Sequence, residues 1–246
     1  MVTLHPQAQD CGEKRSAVVP RSSWDTQYSA RLALDPQTKQ DAYRLRYQSY
    51  LASGFIEPNE TGLFQDQYDS LPNCQTTVIY DQGVAVASVR TCTLAFGSSQ
   101  RSPAIDTYPQ EVAELLRQSS TIGIGGRGIE TTRLVRSPVG ENNQGLVFLL
   151  YRLAGYLGMR AHTQVLLACV RQNHVPFYRR LGYDPVTPPR PYPGLSCPML
   201  LMSCTRQRYD EIRKTFPHID PYAGTNSTLD GFLSGETVSI SLMGSD

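Results

Sequence analysis

Three groups of residues carry side chains whose types and spacing can do chemistry. The run Glu130-Thr131-Thr132-Arg133 sets a carboxylate and a guanidinium three residues apart. Arg46, Asp66, Asp69 and Arg90 form a second set of opposite charges, and Tyr178, inside LLACVRQNHVPFYRRLGYDPV, offers a phenol. A carboxylate can take a proton, a phenol can give one, and a guanidinium matches a substrate carboxylate bidentately. Other chemistries lack their residues. There is no G-x-S-x-G, P-loop or H-E-x-x-H, and STIGIGGRG does not follow a strand and open a helix as a dinucleotide loop must. His5, His162, His174 and His218 are scattered, with no H-x-x-x-D. The six cysteines, at 11, 74, 92, 169, 197 and 204, form no C-x-x-C pair and have no histidine at zinc-ligand spacing, so no metal is expected. Hydrolase, kinase and metalloprotease readings fall away.

The elements that must position these groups can be read from pattern. Asp35 as cap and Pro36 as first residue start a helix over 36–52, with Tyr43, Tyr47 and Tyr50 on one face. Gln27–Leu34 alternates loosely and reads as a strand. Thr76–Tyr80 and Val84–Leu94 are strands joined by a turn at Asp81-Gln82-Gly83. Pro109–Gln118 is a short helix, the four glycines of STIGIGGRG read as a mobile loop, and Ile129–Arg136 is a polar strand. Asn142 or Asn143 caps a long helix with Leu146, Leu149, Leu150, Leu153 and Leu157 in a stripe, stopped at Gly158. Thr163–Val170 and Met199–Cys204 are strands, while Val175–Leu181 and Thr205–Thr215 are helices. The order predicts an α/β fold: a mixed sheet, parallel where a helix crosses between strands. Residues 1–26 and 217–246 read as an N-terminal tail or arm and a C-terminal tail around a domain at 27–216.

The 246 residues are 40% hydrophobic and 18% charged, which excludes wholesale disorder and coiled coil. The net charge, 23 − 22 = +1, gives no global reason for nucleic acid or membrane binding. No apolar run approaches the ~18 residues of a spanning helix, and the N-terminus lacks a signal peptide's apolar core, so the expectation is a reducing bacterial cytoplasm with free thiols.

The segment Asn173, Phe177, Tyr178, Leu181, Gly182, Tyr183, at the end of a strand and through a short helix, resembles the N-x-x-x-x-F/Y-Y-x-x-x-G-F/Y signature of the GCN5-related N-acyltransferase (GNAT) superfamily. Arg46 and Tyr50, Gly54-Phe55, Asp66 and Asp69, Arg90, and Glu130 through Arg133 are similar to the ordered signature of acyl-homoserine-lactone synthases and of the related N-acyl amino acid synthases. The tryptophan that signature carries after the first helix is absent; Phe55 stands near it. Together the two resemblances span about residues 40–205. They imply a GNAT-like sheet with a splayed parallel strand pair, whose unpaired backbone groups an extended pantetheine arm can satisfy as if it were a strand. They also imply a fatty acyl thioester donor on acyl carrier protein, with acyl-CoA the alternative, an amine acceptor, and no permanently bound cofactor.

On this resemblance Glu130 is the base for an amine that must attack neutral; as a solvated strand carboxylate it would do nothing. On a regular strand Glu130 and Arg133 face opposite sides, so they share a site only if a β-bulge intervenes. Arg133 then serves the site or forms a structural ion pair. Tyr178 either protonates the departing thiolate or packs as a half-buried aromatic. Asp66 and Asp69 would hold the acceptor ammonium and Arg46 or Arg90 its carboxylate, unless the four pair with one another and merely order the loop. The superfamily's pyrophosphate loop appears only as Arg136, Gly140 and Gly145 at the wrong spacing, which favours the single phosphate of a carrier protein. Arg136, the amides of Asn143, Gln144 and Gly145, and Asn173 are the donor-binding candidates. An acyl tunnel would be lined by Leu134, Phe148, Leu149, Leu166 and Leu167. Acylation of a lysine or ornithine side chain of a peptide, and a non-catalytic module that binds carrier protein or lipid, are the alternatives.

Overall fold

Asp35 and Pro36 start the first helix as their types require. The Thr38 N–H donates to Asp35 Oδ1 at 2.9 Å, Pro36 opens the first turn, and α1 runs Pro36–Ala52. Its buried face is Thr38, Ala42, Leu45, Arg46 and Tyr50, while Tyr43 and Tyr47 flank it half-buried. The tyrosine stripe is thus turned slightly from expectation, with Tyr50 the one of the three that is buried.

The computed structural model describes residues 26–120, 125–138, 143–222, 229 and 231–242. The strands are β1 (Tyr28–Leu32), β2 (Cys74–Asp81), β3 (Val84–Ala95), β4 (Arg127–Arg136), β5 (Val165–Val170), β6 (Asp184–Pro185), β7 (Arg190–Tyr192), β8 (Leu195–Thr205) and β9 (Val238–Ile240). The further helices are α2 (Pro103–Thr107), α3 (Pro109–Gln118), α4 (Gln144–Arg160), α5 (Val175–Arg180) and α6 (Arg206–Thr215). One sheet runs in the order β6-β8-β5-β4-β3-β2-β1-β9, with β7 also paired to β8. Gln82 and Gly83 both have positive φ, 48° and 82°, the two-residue turn that matches the twist of β2 and β3.

Among the described residues only β4 and β5 are parallel, and only from Gly128–Thr131 against Val165–Ala168. Beyond Thr131 and Ala168 they no longer pair with each other, which is the expected splay. On one face of the sheet lie α4, α5 and α6 over Ile129, Leu166, Ala168 and Met202. On the other lie α1, over Val78 and Val135, and α2 with α3, over Leu94, Val165 and Leu167. This mixed α/β sheet flanked by helices is the GNAT-like fold that the sequence implied.

Two readings need correction. Gly158 does not stop α4, which runs two residues further; a Cβ there would lie 3.2 Å from Thr163 Oγ1 and 3.3 Å from Ile129, so the glycine serves close packing of helix on strand. The described part of 217–246 is not a free tail. β9 extends the sheet at β1, and Leu229, Phe232, Val238, Ile240 and Leu242 are buried against α4 and the sheet. Inside α4 the buried Arg152 donates to the carbonyls of His218 and Ser241, at 3.3 and 2.7 Å, and holds this segment down. Residues 1–25, 121–124 of the glycine loop, and Gly140 lie outside the described residues.

Phe232 is fully buried, so Phe232→Ala is expected to cost about 3–5 kcal/mol of unfolding free energy. Urea unfolding measures it; a midpoint equal to that of the parent chain would show that the C-terminal segment does not belong to the cooperative core.

Candidate active site

The geometry of β4 decides which side chains meet. Ser88 pairs with Val135 and Arg90 with Thr132, so the single residue Val89 on β3 stands opposite both Arg133 and Leu134 on β4. Arg133 has φ +52°, the left-handed region. This is a β-bulge, and it resets the alternation. Glu130, Thr132, Arg133 and Val135 all point to the α1 side, while Ile129, Thr131 and Leu134 point to the α4 side. The condition that the sequence set for Glu130 and Arg133 to share a site is met.

Glu130 is fully buried and firmly held. Its Oε2 accepts from the Ala104 N–H at 3.0 Å, its Oε1 from the Tyr192 hydroxyl at 3.1 Å, and the Ser102 hydroxyl also bonds it. Burial raises its pKa above the ordinary carboxylate range, against the lowering effect of Ser102, Ala104, Arg90 and Tyr192. Tyr192 is the hinge between the two site residues. Its hydroxyl lies 3.0 Å from Thr132 Oγ1 as well, and its ring centre 5.6 Å from the Arg133 guanidinium. Phe64 and Tyr50 complete an aromatic surround of that guanidinium, at 5.0 and 5.9 Å.

Arg46, Asp66, Asp69 and Arg90 do pair with one another. Arg46 Nη1 donates to Asp69 at 2.7 Å and Nη2 to Thr76 Oγ1 at 2.9 Å. Arg90 bridges, 2.9 Å from Asp69 and bidentate on Asp66; Arg133 then reaches Asp66 at 2.8 Å and the Pro193 carbonyl at 2.7 Å. The terminal nitrogens of the buried Arg46 and Arg90 are all taken up by Asp66, Asp69 and Thr76, so as they stand these arginines order the loop after α1 rather than face a substrate. The outer end of the chain of charges is Arg133, whose Nη1 is buried with no partner. Burial alone would raise the Asp66 carboxyl, yet the hydrogen bonds and charges of Arg90 and Arg133 hold it at about 2.

Tyr178 packs edge-on against Tyr151, Phe177 and Tyr183, with ring centres 5.8, 5.7 and 5.5 Å away, and burial pushes its phenol up to about 12. It is protonated at neutral pH, the form a proton donor needs. A small cavity behind β4 and β5 is lined by Ile129, Thr131, Tyr151, Leu166, Leu181 and Tyr183, among others. Of the tunnel candidates, Leu134, Phe148, Leu149 and Leu166 face this side, whereas Leu167 packs under α2 and α3.

At the start of α4, Asn143 Oδ1 caps the Leu146 N–H, its Nδ2 donates to Tyr28, and Arg136 Nη1 donates to its carbonyl at 3.1 Å. Gln144 and Asn173 are exposed; Gly145 is buried, and a Cβ there would meet Leu242 at 2.3 Å, so this glycine answers a packing need. Sequence reasoning missed Tyr192, Phe64 and the Ser102–Ala104 cap of Glu130. The Pro193-Gly194 pair signals the turn after Tyr192, with Gly194 at φ +74°, but nothing local tells that this turn lies over β4.

Asp66→Asn removes the carboxylate shared by two buried guanidiniums and is expected to cost about 3–5 kcal/mol at neutral pH. Because the folded carboxyl titrates near 2 against an ordinary 3.8, its contribution is complete above that value and is lost as pH falls between the two. Denaturant titrations from neutral pH to about 2 check this: the gap between parent and variant should narrow by about 2 kcal/mol toward the acid end, and a constant gap would contradict the pairing.

The sequence profile of the family described as N-acyl amino acid synthase FeeM matches residues 41–205, about two thirds of the chain. No curated protein matches. Among solved structures, FeeM from uncultured soil microbes is 16% identical with a TM-score of 0.60, covering 76% of this chain and 93% of its own. The CoA-dependent acyl-homoserine lactone synthase BjaI is 13% identical, TM-score 0.52, over 77% and 90%. An acyl-CoA N-acyltransferase from Pseudomonas aeruginosa is 15% identical, TM-score 0.50, over 72% and 98%.

Proposed function

We propose that this chain, which belongs to the N-acyl amino acid synthase FeeM family and is an acyltransferase, moves a medium- or long-chain acyl group from acyl carrier protein to the amine of an amino acid or related small molecule. The observation that carries the reading is the bulge of β4, which brings Glu130 and Arg133 to one face beside the splay of β4 from β5. The unpartnered Nη1 of Arg133 suits the acceptor's carboxylate, and the Asp66–Arg90–Asp69–Arg46 chain fixes the guanidinium from behind. Asp66, the more exposed of the two aspartates, stands nearest an ammonium held there.

The amine nitrogen attacks the thioester carbonyl carbon and gives up a proton to Glu130, by way of the Tyr192 hydroxyl that already donates to it. A backbone N–H freed at the bulge stabilises the oxyanion, and Tyr178 protonates the thiolate as the carbon–sulfur bond breaks. Arg136, Asn143, Gln144 and Asn173 line the donor side, where the departure from the superfamily's pyrophosphate loop favours a carrier protein over CoA. The acyl chain extends toward the cavity between α4 and the sheet, where each buried methylene contributes about 0.8 kcal/mol.

As a base, Glu130 works ionised. Its raised pKa puts the acid limb of kcat above the ordinary glutamate range, with activity lost as pH falls through it. Glu130→Gln should lower kcat by about 10²-fold or more and abolish that limb while the KM for donor is kept. Full activity of the variant between about pH 6 and 9 would remove Glu130 from the role.

The reading as a whole is checked by mass spectrometry of N-acyl products formed from amino acid mixtures and a C2 to C16 donor series, each chain supplied on carrier protein and on CoA. Long chains on carrier protein should lead, by about tenfold in kcat/KM or roughly 1.4 kcal/mol over CoA. A maximum at C2 or C4 would overturn the fatty-acyl assignment, and equal use of both donors the carrier-protein one.

A further inference from the structure

Cys74 and Cys92 take no part in the reaction, and their placement is specific. They are direct partners in the β2–β3 ladder, both thiols are free, and the two Sγ atoms lie 2.6 Å apart. Antiparallel partners have Cα atoms about 4.5–5.5 Å apart, within the span of about 4.4–6.8 Å that a disulfide accepts. The ladder itself therefore holds the two residues within disulfide reach. Exposure is divided between the pair: Cys74 is half-buried, whereas Cys92 is fully buried. Cys92 is also the β3 partner of Glu130, so Cys74, Cys92 and Glu130 stand in one row across three strands.

We propose that Cys74 and Cys92 are a dithiol that a hydroperoxide closes to a disulfide. The Cys74 sulfur attacks the peroxide; an S–O bond forms, the O–O bond breaks, and water or an alcohol leaves. The Cys92 sulfur then attacks the Cys74 sulfenic acid; the S–S bond forms, the S–O bond breaks, and hydroxide leaves as water with the Cys92 proton. Two thiols are oxidised and one peroxide is reduced, and a small thiol such as glutathione reverses the change by exchange. The partner directly opposite on the neighbouring strand intercepts the sulfenic acid before a second oxidation. The proposal stands whatever group the enzyme transfers.

The test uses the full chain, reduced and then treated with stoichiometric hydrogen peroxide, unfolded in an alkylating agent and measured by intact mass and peptide mapping. The expected result is loss of two hydrogens, a linked Cys74–Cys92 peptide pair, reversal by dithiothreitol, and a higher melting temperature for the oxidised form, since the cross-link constrains the unfolded chain. Cys74→Ser, at the half-buried position, should fold and show neither the linked pair nor the melting shift. Alkylation of both cysteines after peroxide would overturn the proposal, and so would a stable sulfinic acid at Cys74 without a cross-link.

Discussion

A β-strand shows alternate residues to opposite faces, and β4 has to show two residues three positions apart to the same one. The bulge at Arg133 resolves that conflict by placing two residues opposite Val89. Much else follows from it. Arg133 accepts a left-handed φ that a non-glycine residue tolerates only when its surroundings hold it. Those surroundings are the Asp66 carboxylate, the Pro193 carbonyl and three aromatic rings, so the loop after α1 and the β7–β8 hairpin are both anchored on one guanidinium.

Charge balance ties the same residues together. Three guanidiniums, of Arg46, Arg90 and Arg133, are buried with two carboxylates between them, which leaves one positive charge unmatched within the network. The nearby buried Glu130 supplies the balancing charge when ionised, and Arg90 acts on it across the ladder. Burial raises the Glu130 carboxyl although Arg90 opposes the rise, whereas Asp66, gripped by two arginines, is held at about 2. Environment thus gives two acidic side chains on the same face different proton affinities.

Much of this was legible in the sequence because it is local. Asp35 and Asn143 cap α1 and α4 as their types announce, and Gln82-Gly83 makes the turn the strand pattern demands. The need for a bulge followed from the period of two and the spacing of Glu130 and Arg133. What stayed hidden depends on contacts distant along the chain. Tyr192 meets Glu130 across 62 positions, and Ala104 meets it across 26. Gly158 and Gly145 read as a stop and as a phosphate contact because a glycine's local signature is the same whether it ends a helix or makes room for Ile129 or Leu242. The polar composition of the last thirty residues concealed a few buried apolar positions that dock on α4.

Both margins of the sheet are narrow. β3 and β8 have 12 and 11 residues, but the outermost strands are β9, with three, and β6, with two, one of them Pro185, which has no N–H to offer. A long strand at a margin is a template on which another molecule's backbone can continue the hydrogen-bond ladder. Here the long strands are enclosed and the margins are too short for that, so the C-terminal segment does more than complete the core: it denies neighbouring chains the β1 edge and thereby guards a large sheet against fibrous self-association.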